Sequence, residues 1–323
     1  MSAPLRAWIR EFAPDVVYGY LYDLPVLSLV GQISDEFGYP VALHIMDDWP
    51  SGQYRDGVLQ GIVRSHVKRK LLSLVGRAVS LLAVSDAMAA EYEARYGRTF
   101  LPVHNPVDLQ RWDALAAAYG DEPDRPPDDC LRVMYAGKVD SDTSGSLLDV
   151  AAVISDMSSH GQRISLRVNT PDVRSPAVAR MAACRGVLVT PTGEYCRVPS
   201  LMAAADVLLL PLDFDEQSVR FAHLSMPTKV SEYLASGRPV LTYAPRGSAV
   251  AEYARTRGWS LLVDERDPAA IRRALDLLIE DGELRREMGS RGRQLAAERH
   301  DAGRVRAQFR AALLAGATSV QGR

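Results

Sequence analysis

The chain has 323 residues, 47% of them hydrophobic and 24% charged, with 38 Lys and Arg against 40 Asp and Glu for a formal charge of -2. That length suits two domains, each able to bury its own core, and the near-balance of charge excludes the concentrated basic surplus of a nucleic-acid binder. Cys130, Cys184 and Cys196 are odd in number and lack metal-ligand spacing, which sets aside a disulfide framework and a zinc site. Residues 1–15 carry charges and prolines where a signal peptide has an apolar core, and the apolar run 201–212 is short and broken by Asp206, so a cytoplasmic chain is expected.

Short runs rich in Val, Leu and Ile recur between helix-like patterns, the mark of buried parallel strands joined by crossover helices. The first part predicts strands at 15–20, 40–46, 79–84 and 100–104, and a helix over 85–96 with Ser85 as its N-cap. Residues 120–130, GDEPDRPPDDC, concentrate Pro, Gly and acid as a linker does. Beyond it the alternation restarts, with strands predicted at 132–136, 164–168, 187–189, 207–210, 240–243 and 260–263. Asp267 and Pro268 form an N-cap and N1 pair opening a helix, and further helices start near Glu283 and Asp301. The expected division is a domain over 1–119, a linker, a second domain over 131–300, and a C-terminal helix over 301–323 packing back toward the first domain.

The strongest chemical signal is SMPTKVSEYLASGRPV over 225–240. Pro227 near the first helical position and Gly237 past the last define a short helix whose N-terminus points from the C-terminal strand edge, where open α/β sheets bind ligands. Lys229 sits in its first turn, where the macrodipole disfavours a cation unless an anion is also present. The hydroxyls of Ser225 and Thr228, the helix amides and the Lys229 ammonium make a cradle for phosphate, and Glu232 shares the Lys229 face. A solvated surface ion pair is the competing reading. Composition weighs against it, because only Lys68, Lys70, Lys138 and Lys229 are lysines among 38 basic residues. Lys138 follows a strand through Gly137, again at the ligand edge.

These segments, with VLVTPTGEYCRVPSLMAAADVLLLP over 187–211 and LLIEDGELRREMGSRGR over 277–293, resemble the GT-B glycosyltransferases, particularly the retaining family 4 type. In the first part PDVVYGY, HIMDDWP, AVSDAMAAEY and HNPVD are similar to that family as well. The resemblance implies a GT-B-like α/β fold of two doubly wound Rossmann-like domains facing a cleft. It implies that Glu232 holds the donor ribose, that Lys138 contacts the diphosphate, and that Gly193, Glu194 and Tyr195 face the base. The family's other motif acid falls at Leu224 and its second diphosphate cation at Ser144, a charge that Lys229 would replace. Positions where the family often carries His are Tyr18, Tyr20 and Met46.

His44, Asp47 and Asp48 end a strand facing the expected cleft and are candidates to position an acceptor hydroxyl, against the competing readings of a core histidine and a helix cap. Asp213 and Asp215 spell the acid pair of metal-dependent transferases, but a hard cation needs several converging oxygens, so no metal and no cofactor are expected. The basic run 64–70, RSHVKRK, reads as a solvated face or as a peripheral contact with an anionic membrane. The first domain shows four strands where five or six are usual. The expectation is therefore an incomplete first domain, shortened at its start or completed by a second chain.

The function expected is transfer of a sugar from a nucleoside-diphosphate sugar to a hydroxyl acceptor, with retention and without metal. A nucleotide-sugar epimerase, separated by its independence of acceptor, and a non-catalytic nucleotide-binding subunit, which would turn nothing over, remain the alternatives.

Overall fold

The structure, a computed structural model, describes residues 1–53, 59–118 and 130–321. The first part runs α1 (Ala3–Phe12), β1 (Val17–Leu21), α2 (Leu24–Phe37), β2 (Val41–Ile45), α3 (Trp49–Gly52), α4 (Gln60–Arg77), β3 (Ser80–Ala83), α5 (Asp86–Tyr96) and β4 (Leu101–Pro102). Then come α6 (Leu109–Ala118), β5 (Leu131–Ala136), α7 (Ser144–Ser159), β6 (Ile164–Thr170), α8 (Pro176–Ala182), β7 (Val187–Pro191), α9 (Val198–Ala204), β8 (Val207–Pro211), α10 (Glu216–Ala222) and α11 (Lys229–Ser236). The chain closes with β9 (Val240–Tyr243), α12 (Ala249–Arg257), β10 (Ser260–Val263), α13 (Pro268–Glu280), α14 (Gly282–Leu295) and α15 (Ala302–Gln321). Each predicted strand is present.

The chain forms two compact units. The first comprises Met1–His104, Leu224–Met226 and the stretch from Gly303; the second comprises Asn105–His223 and Pro227–Ala302. The units thus divide at His104, ahead of the linker expected at 120–130, of which residues 119–129 lie outside the described residues. Helix α6, read from sequence as part of the first domain, counts with the second unit.

The first unit holds a parallel sheet in the order β1-β2-β3-β4. All of β2 is buried, as befits a strand covered on both faces. Val305 and Phe309 of α15 pack with Leu82 and Val103. Ser85 caps α5 by accepting from the Met88 amide at 3.1 Å, and its hydroxyl donates to the Leu224 carbonyl at 3.3 Å.

The second unit holds a six-stranded parallel sheet in the order β10-β9-β8-β5-β6-β7. Strand order reverses between β5 and β8, so the loops leaving those two strands part and open a crevice, the position at which such sheets take ligands. Helix α11 ends at Gly237, whose φ of 66° is the left-handed conformation of a C-terminal cap. Gly289 in α14 packs so closely on this cap that a Cβ there would overlap the Gly237 carbonyl oxygen.

Replacing Gly289 by Ala should therefore cost about 1 to 3 kcal/mol through overpacking and lower the thermal midpoint by several degrees. Thermal unfolding followed by circular dichroism checks this; an unchanged midpoint would mean that α11 and α14 do not meet so closely.

Candidate functional site

At the end of β5 the chain turns through Gly137, whose φ of 150° is a conformation that side chains rarely adopt. Its missing Cβ also makes room: an added methyl would overlap Lys229 Cε. Lys229, the first residue of α11, packs its ammonium over the Tyr135 ring, 4.9 Å from the centroid, and donates to the Tyr135 hydroxyl at 3.1 Å. The Tyr135 hydroxyl in turn donates to the Lys138 carbonyl. Lys229 and Glu232 are both half-buried, unlike the solvated surface pair of the competing reading.

Burial lowers the Lys229 pKa, opposed by the field of Asp140 and Glu232. No carboxylate lies within ion-pairing distance of its ammonium among the described residues. Three donors therefore face one phenol oxygen and one ring, an arrangement with unspent capacity for an anion. Among the described residues no side chain caps the start of α11; Thr228 occupies the N-cap position without a capping hydrogen bond from its hydroxyl, and is exposed. The macrodipole and the lysine thus add positive potential at one place.

One turn along α11, Glu232 accepts a hydrogen bond from the Tyr195 hydroxyl at 2.7 Å. Burial raises the Glu232 pKa, while the Tyr195 bond and Lys229 pull it back. The Tyr195 phenol is pushed up to about 12 by burial of its polar end and by the carboxylate beside it, with Arg111 opposing. Glu232, Tyr195, Thr228 and Ser231 line a cavity of about 290 Å³ closed by Arg111 and Trp112 of α6. The Tyr195 ring remains 58% exposed, and its neighbours Gly193 and Glu194 are also open to solvent.

Several expected site residues stand differently. Lys138 is exposed and its ammonium has no partner among the described residues, so its charge is available but not held. Ser225 belongs to the first unit, where its hydroxyl donates to Asp47 at 3.1 Å instead of joining the Lys229 cradle. Asp48 does not cap α3 with its side chain; its carboxylate accepts from Tyr92 at 2.7 Å and from Arg95 at 3.0 and 3.1 Å, a fixed structural clamp. His44, 6% exposed, lies within β2, opposite Tyr20 and Leu82. Its Nδ1 is 2.9 Å from the Tyr18 hydroxyl, its Nε2 has no partner among the described residues, and burial lowers its pKa to about 4.

Asp213 and Asp215 are both occupied as helix caps. Asp213, 7% exposed, accepts from the Gly145 amide at 2.8 Å and from the Ser146 amide, closing the N-terminus of α7 from another element. Asp215 accepts from the Gln217 and Ser218 amides at the start of α10. Sequence reading missed Tyr135, Arg111 and Trp112. A tyrosine just before Ala136-Gly137 in an apolar strand was a usable signal for the first; α6 gave none, because its place was misjudged.

Residues 131–281 match the family described as Glycosyl transferases group 1. Among solved structures, Anabaena HepE in complex with UDP superposes with a TM-score of 0.70 at 15% identity, covering 96% of this chain and 82% of that one. Sucrose-phosphate synthase from Thermosynechococcus elongatus gives 0.67 at 14% identity, covering 94% and 74%. An alpha,alpha-trehalose 6-phosphate synthase from Burkholderia multivorans gives 0.67 at 15%, covering 99% and 75%. The fold is of the GT-B type, with two Rossmann-like sheets. A search of curated proteins returned no match. Among the described residues no helix is long and apolar enough to cross a membrane.

His44 supplies a pH test. Its folded pKa of about 4 lies below the model-compound value of 6.5, so below that value the unfolded chain takes a proton that the folded chain refuses. This contribution to stability should be full above pH 6.5 and lost as pH falls toward 4, by up to about 1.4 kcal/mol per pH unit. Urea unfolding of the wild type and His44→Gln at pH 7 and pH 5 checks it. The variant should lose less stability over that interval, and equal losses would place His44 in a more open setting.

Proposed function

We infer, from the Glycosyl transferases group 1 domain at residues 131–281, that the chain is a glycosyltransferase moving a sugar from a nucleoside-diphosphate sugar to an acceptor hydroxyl. The observation that carries this reading is the half-buried Lys229 ammonium at an uncapped helix start, beside a glycine that leaves room for it and without a carboxylate partner. A buried cation so placed is best completed by a diphosphate.

In this reading the donor diphosphate lies against Lys229, Gly137 and the first turn of α11 at Thr228, with Lys138 adding charge from the exposed loop. Glu232 accepts from the ribose hydroxyls, the Tyr195 hydroxyl giving way to them, and the loop of Gly193, Glu194 and Tyr195 faces the base. UDP is the first nucleotide to try, since HepE was solved with it. In the chemical step the bond between the sugar's anomeric carbon and the diphosphate oxygen breaks. The acceptor oxygen bonds to that carbon, and the acceptor proton passes to a diphosphate oxygen. Delivery from the leaving-group side gives retention, and it needs no protein base, which accords with the structural commitments of His44 and Asp48.

Charge develops on the departing diphosphate, and a preorganised ammonium and helix dipole stabilise it more in the transition state than in the ground state. They supply the stabilisation that a divalent cation supplies elsewhere. The capping roles of Asp213 and Asp215 are in keeping with that division of labour.

Lys229→Ala and Glu232→Ala should each weaken UDP binding by about 1.5 to 3 kcal/mol, the worth of a charge-assisted contact. Isothermal titration with UDP measures it, and unchanged affinity in both would move the site elsewhere. Transfer from the donor, followed by release of nucleoside diphosphate, should persist in excess EDTA. Loss of activity restored by manganese or magnesium would return a metal to the mechanism.

A further inference from the structure

A second cavity lies in the first unit, whereas the residues assigned to the donor belong to the second. It measures about 550 Å³ and is bounded by α4, by the end of α5 and by α3. Its wall joins the cations Arg64 and Lys68 to the hydroxyl-bearing Ser51, Ser65 and Tyr96 over an apolar base at Leu71. Among the described residues no acidic side chain lines it.

Helix α4, QGIVRSHVKRKLLSLVGR, contains five Lys and Arg and no Asp or Glu, in a chain where acids outnumber bases 40 to 38. Some of this charge has a structural partner: Lys70 donates to Ser28 at 3.2 Å, and Arg77 pairs with Asp35. Arg64 and Lys68 have none among the described residues. They stand one turn apart, where like charges repel. Leu59 at the N-cap of α4 offers no side-chain cap, and Gly61 of the first turn lines the same cavity. Arg95, the third cation of the wall, is held by Asp48 and Glu91, so its charge is already met.

We propose that this cavity binds a phosphate ester carried on a polyhydroxylated group, with Arg64 and Lys68 taking the phosphate. A guanidinium fork and an ammonium together suit a tetrahedral dianion. The cavity is much larger than inorganic phosphate and falls in the size range of small-molecule sites. Its three hydroxyl-bearing side chains, set on an apolar base, fit a sugar or inositol ring. The ester can be a free sugar phosphate or the headgroup of a phosphoinositide, which present the same chemistry. The proposal does not depend on the donor assignment, whose residues lie in the other unit.

The test titrates the full chain with glucose 6-phosphate and with glucose at low salt, and sediments it with phosphatidylcholine vesicles with and without phosphatidylinositol. The paired variant Arg64→Gln/Lys68→Gln changes exposed side chains, and circular dichroism confirms its fold. UDP titration of the same samples reports separately on the donor site. Saturable glucose 6-phosphate binding, weakened about tenfold or more in the variant and absent with glucose, identifies a soluble ester. Vesicle binding that needs phosphatidylinositol and is lost in the variant identifies a lipid headgroup. The proposal is overturned if neither form of binding changes in the variant. It is overturned equally if Arg69→Gln, which alters a cation outside the cavity wall, weakens binding as much.

Discussion

An ammonium group half-buried with no counter-ion among the described residues is the constraint around which the end of β5 and the start of α11 are built. Removing a cation from water costs several kcal/mol unless something replaces its hydration. Here the Tyr135 ring and hydroxyl replace part of it. The rest of the local structure follows. Tyr135 must lie in β5, two residues before the turn at Gly137, and position 137 must lack a Cβ. Helix α11 must begin at Lys229 with no side chain over its first amides. The other helix starts nearby are closed, α7 by Asp213 and α10 by Asp215, so positive potential is left uncompensated at α11.

The second polar pair works differently. Glu232 and Tyr195 already satisfy one another, so a ribose that engages Glu232 exchanges one hydrogen bond for another. On the proposed reading Glu232 holds and orients a hydroxylated ring while Lys229 meets the charge of the diphosphate. On the same reading Lys229, held by Tyr135, and Lys138, on an exposed loop, share the charge of the donor.

Much of this was legible in sequence because the signals were local. Val-rich runs between turn residues located every strand, and Ser85, Asp267, Pro268 and Gly237 fixed helix ends by chemistry confined to a few residues. The scarcity of lysine singled out Lys229. What stayed hidden depends on partners distant in the chain. Asp213 caps a helix 68 residues earlier in the sequence, Tyr195 meets Glu232 across 37, and Ser225 answers to Asp47 across 178. Asp213-Phe214-Asp215 looked like a metal motif because a carboxylate that caps and one that ligates are the same residue type. His44 likewise gave no sign of its tyrosine partner, 26 residues away.

The central claim is that the Lys229 ammonium awaits a diphosphate. A crystal structure of the chain with UDP tests it most directly. The account requires the diphosphate within hydrogen-bonding distance of Lys229 Nζ and the first turn of α11, with ribose oxygens on Glu232 and the Tyr195 hydroxyl displaced from it. UDP bound elsewhere, with the Tyr195 to Glu232 bond intact and Lys229 still facing only Tyr135, would contradict it.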